Sequence, residues 1–405
     1  MRPSRVLLVV LSSLGILLPA VRADYTLTTL ASFNGRNGAS PSGPLAFDAR
    51  GNIYGTAHNQ GFQSAGLVYS LAAGTHTPTP VFDFAVGIGQ YGSSPAGGVV
   101  LDTQGNLYGT TTQHGFAPGG TVFRLSPSAS GVNIATLAQF PAALTPTTAL
   151  TVDTQGNVYG TASGAEGSIV FRIAAGTSVA TTVATFTAAA GPLSGLTLDS
   201  QGNLYGTTSG SVFRLAAGTN ALTMVADLGG AVGANGVVLD SRGNLFGTTS
   251  FGGTGGGTVF KVAAGTGTLT TLATFGGATR GYGPAAGLAI DAMGNLFGTT
   301  YFTSNGQGAG TIFEVAAGTG TLATLASFDG TDGLNPAAPL TLDAAGNLYG
   351  TTLGGTNNSG TIFELVNNAA AVPEPPALLA CGQAALIGLA WTARSRGRRA
   401  RGMAG

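Results

Sequence analysis

Seven aspartates recur at the head of one nine-residue phrase, Asp-x-x-Gly-Asn-apolar-aromatic-Gly-Thr, which begins at Asp48, Asp102, Asp153, Asp199, Asp240, Asp291 and Asp343. A carboxylate followed four residues later by an asparagine amide could ligate a hard cation or brace a turn. Calcium loops set several oxygen ligands at alternate positions, whereas each phrase here offers one carboxylate and one amide. Turn bracing is the better fit: the carboxylate accepts backbone N–H bonds, and the glycine supplies the positive φ of a tight hairpin. No metal site and no cofactor is expected.

Other residue types that could do chemistry are few. The histidines are His58, His76 and His114, and the repeat body holds three glutamates, Glu166, Glu314 and Glu364. There is no Gly-x-Ser-x-Gly elbow, no His-Glu-x-x-His and no phosphate-binding loop. Glu314 and Glu364 stand where other repeats carry Arg124, Arg172, Arg214 and Lys261, which reads as a solvated strand position. His76 falls in a proline-rich loop.

The elements that must position these residues follow from one repeat. Gly195 to Asp199 alternates in polarity as a strand does, Asp199 to Gly202 turns, and Asn203 to Thr207 resumes as a second strand. Ser211 to Leu215 is a third strand and Ala221 to Leu228 a fourth. Four short antiparallel strands recurring every ~40–55 residues predict an all-β, seven-bladed β-propeller of four-stranded blades. The seventh repeat stops after Leu365 without a fourth strand, and Leu27 to Phe33 matches the missing piece. An N-terminal strand therefore completes the last blade and closes the ring, which removes the exposed edges between first and last blades. Leu204, Tyr205, Phe213 and Leu215 are expected to pack blade on blade.

Within that frame, the loops joining second to third strands share a face with the links between blades. They are long in blades six, seven, one and two, and only Thr208 to Gly210 in blade four. Polar or aromatic residues gather in the same four blades. A ligand-binding sector is expected there, formed by Arg36, His58, Tyr91, His114, Arg280, Tyr282, Asp329 and Asp332, because binding residues concentrate on loops of rigid scaffolds.

The two ends carry addresses. Residues 1–23 have Arg2 and Arg5, an apolar run from Val6 to Leu18 and a Val21-Arg22-Ala23 cleavage site, as a secretory signal peptide does. The propeller then spans 24–366, and a linker over 367–375 carries Pro373, Glu374 and Pro375. Residues 376–405 form an apolar segment followed by Arg394, Arg396, Arg398, Arg399 and Arg401. Prolines end the fold, the apolar segment can enter a membrane, and arginines hold its end on the cytoplasmic side. This tail resembles the PEP-CTERM sorting signal, which implies processing by an exosortase-like enzyme and membrane attachment until then. A plain membrane anchor is the alternative.

The repeats, with Gly-Asn-Leu-Tyr-Gly-Thr-Thr followed by Gly-Thr-Val-Phe, resemble the GloVer-type tandem-repeat proteins over about residues 25–366. The resemblance implies an exported bacterial propeller with no established activity. More distantly, the phrase is similar to repeats of sensor-kinase propellers and streptogramin lyases, but no position here aligns with the lyases' catalytic histidine and its acidic and metal partners. Half of the sixteen basic residues lie in the two ends, so the body, Asp24 to Ala371, keeps eight against fifteen acidic ones. A nucleic-acid partner is not expected, since phosphate binding needs a basic stripe. The single cysteine, Cys381, lies in the tail, so no disulfide braces the body. The expected role is a non-enzymatic surface or matrix protein outside the cytoplasm, with exopolysaccharide or another envelope component as partner. An extracellular lyase or hydrolase, or a purely structural repeat protein, are the alternatives.

Overall fold

A computed structural model describes residues 25–368, apart from 60–64, 130, 188–190, 192–193, 254, 277–280, 304–307 and 356. The expected signal peptide over residues 1–23, Pro373 to Pro375, the arginine tail and Arg280 lie outside the described residues.

Seven antiparallel sheets follow one another along the chain, each with its first strand innermost. Blade one is Ala39–Phe47, Ile53–Asn59, Leu67–Leu71 and Thr79–Asp83; blade four is Thr197–Leu198, Leu204–Thr207, Ser211–Leu215 and Leu222–Asp227. Blade seven takes its outer strand from the other end of the propeller: Tyr25–Ser32 pairs antiparallel with Thr361–Asn367, Tyr25 opposite Asn367 and Leu27 opposite Leu365. The expected closure is present.

Alternation along each strand sends neighbouring residues to opposite blades. Leu204, Phe213 and Leu215 pack with Val183 and Phe186 of blade three, while Tyr205 packs with Val237 and Phe260 of blade five. The glycine of each Tyr/Phe-Gly-Thr lets the third-strand aromatic ring cross it: a Cβ on Gly206 would sit 2.5 Å from Phe213 Cζ, and one on Gly350 equally close to Phe363.

Two interblade devices were not anticipated. The outer strand of every blade carries a β-bulge opposite the third-strand aromatic, and the extra residue is always aliphatic: Val81, Leu137, Val183, Val225, Leu272, Leu325 and, on the closing strand, Leu30. Bulging turns that side chain toward the interblade core and twists an exposed edge, which discourages pairing with another chain. Just beyond it, a phenylalanine reaches into the next blade. Phe33 meets Tyr69 at 5.0 Å, Phe84 meets Phe123 at 5.1 Å and Phe275 meets Phe313 at 4.8 Å between ring centroids. Such edge-on pairs add about 0.5–1.5 kcal/mol beyond burial. Between blades four and five Leu228 takes the phenylalanine's place against Phe260.

Nearer the axis, the threonine of the phrase is buried in all seven blades. Thr161, Thr207 and Thr248 donate to carbonyls of the next blade, at Ser194, Ala234 and Ala286. Apolar packing outside thus fixes each blade on its neighbour, and in blades three to five hydroxyl bonds inside add to it, whereas the Thr110 and Thr299 hydroxyls are buried without a partner.

Candidate functional site

The first turn of each blade is an internally saturated corner. In blade four, Asp199 Oδ1 accepts the backbone N–H groups of Gln201 and Asn203 at 2.9 and 2.8 Å. Its Oδ2 accepts Asn203 Nδ2 at 2.7 Å and the Tyr205 hydroxyl at 3.3 Å. Asn203 Oδ1 then accepts the backbone N–H of Ala217 at 3.0 Å, joining the first turn to the turn between third and outer strands. The same link runs from Asn52, Asn157, Asn244, Asn295 and Asn347 to Ala73, Ala175, Ala264, Ala317 and Asn367. Blade two puts Pro127 at that place, and proline has no N–H to give.

Burial alone would raise these carboxyls. At Asp48, Asp102, Asp153 and Asp199 the asparagine side chain, two backbone N–H groups and the tyrosine hydroxyl outweigh it and hold the group below its ordinary range. At Asp240 the asparagine, the backbone and nearby Lys261 do so. The turn role expected for these aspartates matches this geometry. Among the described residues, no group of three or more His, Cys, Asp or Glu is arranged to hold a metal ion.

Between successive corners the ring face opens into clefts. One, of about 820 Å3, lies between blades four and five and is lined by Asp199, Gln201, Tyr205, Arg214, Met224 and Arg242. A second, of about 720 Å3, lies between blades three and four beside Gln155, Tyr159, Arg172 and Asn220. A third, of about 630 Å3, lies between blades five and six beside Arg242, Phe246 and Lys261. Adjacent clefts share a lip, the turn at Asp199 or the turn at Asp240. Arg172 and Arg214 each donate one Nη to the corner asparagine at 2.8 Å, while Nε is buried without a hydrogen-bond partner. Lys261 Nζ lies 5.8 Å from the centre of the Phe246 ring.

The residues expected to bind lie on the opposite face, where second-to-third-strand loops meet the interblade links. Four parallel bonds stitch that rim: Ser40 N–H to Ser359, Ser94 to Ala65, Gly283 to Gly256 and Asn335 to Ala309, at 2.7–2.9 Å. Each donor has a left-handed φ of 52–67°. Asp329 and Asp332 come together as a reciprocal brace. Asp332 Oδ1 accepts the Asp329 N–H, and Asp329 Oδ1 accepts the N–H groups of Thr331 and Asp332. Chiefly through the Thr331 hydroxyl, Asp329 is held down to about 2, whereas burial raises Asp332. Arg36 is exposed on an equivalent brace between Asn34 and Asn37.

The rest of the set is tied to its own surroundings. His58 Nδ1 meets Asn59 Oδ1 at 3.0 Å, and the half-buried Tyr91 ring packs against Phe82 at 5.8 Å. Tyr282 is half-buried opposite Phe302. His114, at φ 59°, places Nδ1 2.7 Å from Ser93 Oγ. Ser93 is 3% exposed, so that pair holds the loop rather than presenting a nucleophile. His76 Nδ1 meets the carbonyl of Leu30 at 2.8 Å, a bond from blade one to the bulge of the closing strand. None of the seven described candidates lines the three clefts, or a smaller cavity of about 290 Å3 beside Gly252 and Phe260 on their own face. The clefts were not anticipated. Their signal was the cation one residue before the last apolar position of the third strand, at Arg172, Arg214 and Lys261.

These features define a seven-bladed β-propeller whose blades are copies of one sequence unit. The chain matches the Gloeobacter/Verrucomicrobia repeat family over residues 19–211 and 208–372, and it belongs to that family. No curated protein matches it. Among solved structures it is similar to virginiamycin B lyase from Staphylococcus aureus, at 14% identity and a TM-score of 0.60, covering 85% of this chain and 99% of the lyase. It is similar also to oligogalacturonate lyase from Vibrio parahaemolyticus, at 10% identity and a TM-score of 0.57, covering 86% and 94%. A third likeness is to the extracellular domain of a chain described as a one-component system from B. thetaiotaomicron, at 12% identity and a TM-score of 0.55, covering 83% of this chain and 39% of that one. At these identities the likeness concerns the fold alone.

Proposed function

We propose that this chain is an exported, surface- or matrix-associated propeller that binds or scaffolds without catalysing, sorted by an exosortase-like enzyme, with exopolysaccharide or another envelope component as its partner. The observation that carries this reading is the row of three polar clefts between rigid consecutive blades. Repeated equivalent sites on a stiff ring suit attachment to a repeating polymer, where several weak contacts act together. The saturated corner carboxylates support a binding role as well. An aspartate whose oxygens already accept four donors is a poor base, because proton uptake would break those bonds.

The ends support the address. Residues 1–23 read as an export signal, and Pro373-Glu374-Pro375 with the apolar segment and arginines reads as a sorting signal. Similar propellers include extracellular domains of bacterial proteins, which is in keeping with export. The test is intact mass with cell fractionation in the native host. A chain lacking both ends in the extracellular or outer-envelope fraction is the expected result. A chain retaining Trp391 and the arginines in the inner membrane would make it a tethered propeller, and one left in the cytoplasm would overturn the proposal.

A further inference from the structure

We infer that the three clefts of blades three to six form a continuous site for an acidic polysaccharide, one that carries a carboxylate on its sugar rings. This rests on the binding role proposed above and names its ligand chemistry.

The inference begins with which charges are unspent. Each corner aspartate of blades three and four has both oxygens filled by donors from its own blade, so it offers little to a ligand. The cations are differently placed. Arg172, Arg214 and Lys261 line successive clefts, and the exposed Arg242 lines two of them. Arg172 and Arg214 each donate an Nη–H to a neutral asparagine oxygen and lie beside the hydroxyls of Tyr159 and Tyr205, with no carboxylate bonded to them among the described residues. With Nε buried, each guanidinium has its other Nη–H groups and its charge left for a carboxylate in the cleft.

The neighbours of each cation suit a sugar. Tyr159, Tyr205 and Phe246 stand beside Arg172, Arg214 and Lys261, opposite them across the strand pair. The partly exposed Tyr159 and Tyr205 rings offer a surface to the C–H face of a pyranose, whereas Phe246 is buried, and Gln155, Gln201, Ser200 and Thr223 offer donors and acceptors to hydroxyls. Cation, tyrosine and glutamine return in the first two clefts, and the third has Lys261, Arg242 and Asn244, so a polymer can occupy adjacent clefts over their shared lips. The row has chemical ends as well. Blade two keeps the cation as Arg124, opposite Tyr108, whereas Glu314 and Glu364 replace it in blades six and seven and Ser70 does so in blade one.

A nucleic acid fits less well. The cations stand singly in separate clefts, and the body carries an acidic excess that opposes a dense phosphate chain. A polysaccharide with one carboxylate per sugar needs only the local cations, because charges farther than about 8 Å are screened at physiological ionic strength.

Binding of the full chain to polygalacturonate, to its fully methyl-esterified form and to double-stranded DNA tests this by titration calorimetry. Expected are salt-sensitive binding of polygalacturonate and at least ~10-fold weaker binding of the ester and of DNA. The triple variant Arg172→Gln/Arg214→Gln/Lys261→Gln should lose at least ~10-fold in affinity, and the exposed Arg242→Gln about 3-fold. Arg50→Gln, an equal loss of charge in blade one, should change nothing. Should the triple variant melt early, Arg242→Gln alone decides, since its side chain supports no described contact. Equal binding of the ester, preference for DNA, no binding of polygalacturonate, or an unchanged Arg242→Gln would each overturn the inference. Fractionation keeps the two readings apart: an exported chain that ignores polygalacturonate leaves the proposed role standing, whereas a cytoplasmic chain removes that role whatever the titration gives.

Discussion

On one face of the ring, every blade turns through the same Asp-x-x-Gly-Asn corner, and its carboxylate accepts the same two backbone N–H groups and the same asparagine amide. On the other face, loops range from the three residues Thr208 to Gly210 to spans such as Thr111 to Gly119, and each polar side chain answers to its own neighbours. The difference teaches where repetition is useful. A corner that satisfies itself can be copied seven times without reference to what surrounds it, and between the corners of blades three to six related clefts arise. Loops of unequal length produce single contacts, and Asp329, Asp332 and His114 there brace their own loops.

Several changes would break or sharpen this contrast. The largest effect should come from deleting residues 25–33, which belong to neither face but hold the ring shut. The deletion exposes the Thr361–Asn367 edge and removes the buried Phe33, so cooperative thermal unfolding should disappear; an unchanged melting curve would mean closure contributes nothing. Next, Phe213→Ala should cost about 3–5 kcal/mol in urea titration, as a cavity opens between blades three and four. Phe116→Ala, 77% exposed on the loop face, should stay within ~0.5 kcal/mol.

A smaller difference separates two copies of the corner. Asn203→Ala strands the Ala217 N–H and frees Asp199 and Arg214, which should cost about 1–3 kcal/mol. Asn106→Ala should cost less, because Pro127 has no N–H to lose. Equal losses would show that the amide's link to the second turn is idle.

The smallest effects concern pH, and here the faces oppose each other. Asp199 is depressed in the folded chain, so its contribution is present above the ordinary carboxyl value near ~3.9 and is lost as pH falls through the folded value. Asp332 is raised, so its contribution is present below that ordinary value and is lost as pH rises through the folded one. At pH 7, Asp199→Asn should therefore destabilise, because an amide N–H would face the Asn203 and Tyr205 donors. Asp332→Asn should be neutral or slightly stabilising, as Asn37 already fills that role in the equivalent brace. Urea midpoints at pH 7 and pH 3 check both signs, and the two variants should draw together at the lower pH.

Much of this was legible before any coordinates. Seven copies of one phrase, with a fourth strand missing at one end and spare at the other, dictate a closed seven-bladed ring. The turn role of the aspartates followed from donor and acceptor counting. The bulges did not show, although Leu-Ala-Ser-Phe, Val-Ala-Thr-Phe and Val-Ala-Asp-Leu carry them, because a two-residue period read straight through gives no sign that one residue has slipped. The loop-face candidates were chosen as polar residues on long loops, and that criterion cannot distinguish a side chain free to bind from one bracing its own turn, as Asp329 and Asp332 do. The clefts lay hidden in a strand position, since Arg172 and Arg214 read as ordinary solvated residues until the next blade's turn stands opposite them.

The division has a physical basis. Strand period, turn chemistry and repeat number depend on residues close together in the chain, so the amino-acid order alone determined the blades, their count and the closure of the ring. Which aliphatic residue turns into the next blade, which carboxylates are saturated and which cations line a cleft depend on groups about forty residues apart. Those relations exist only once one blade is packed against the next, and the tertiary structure decided them.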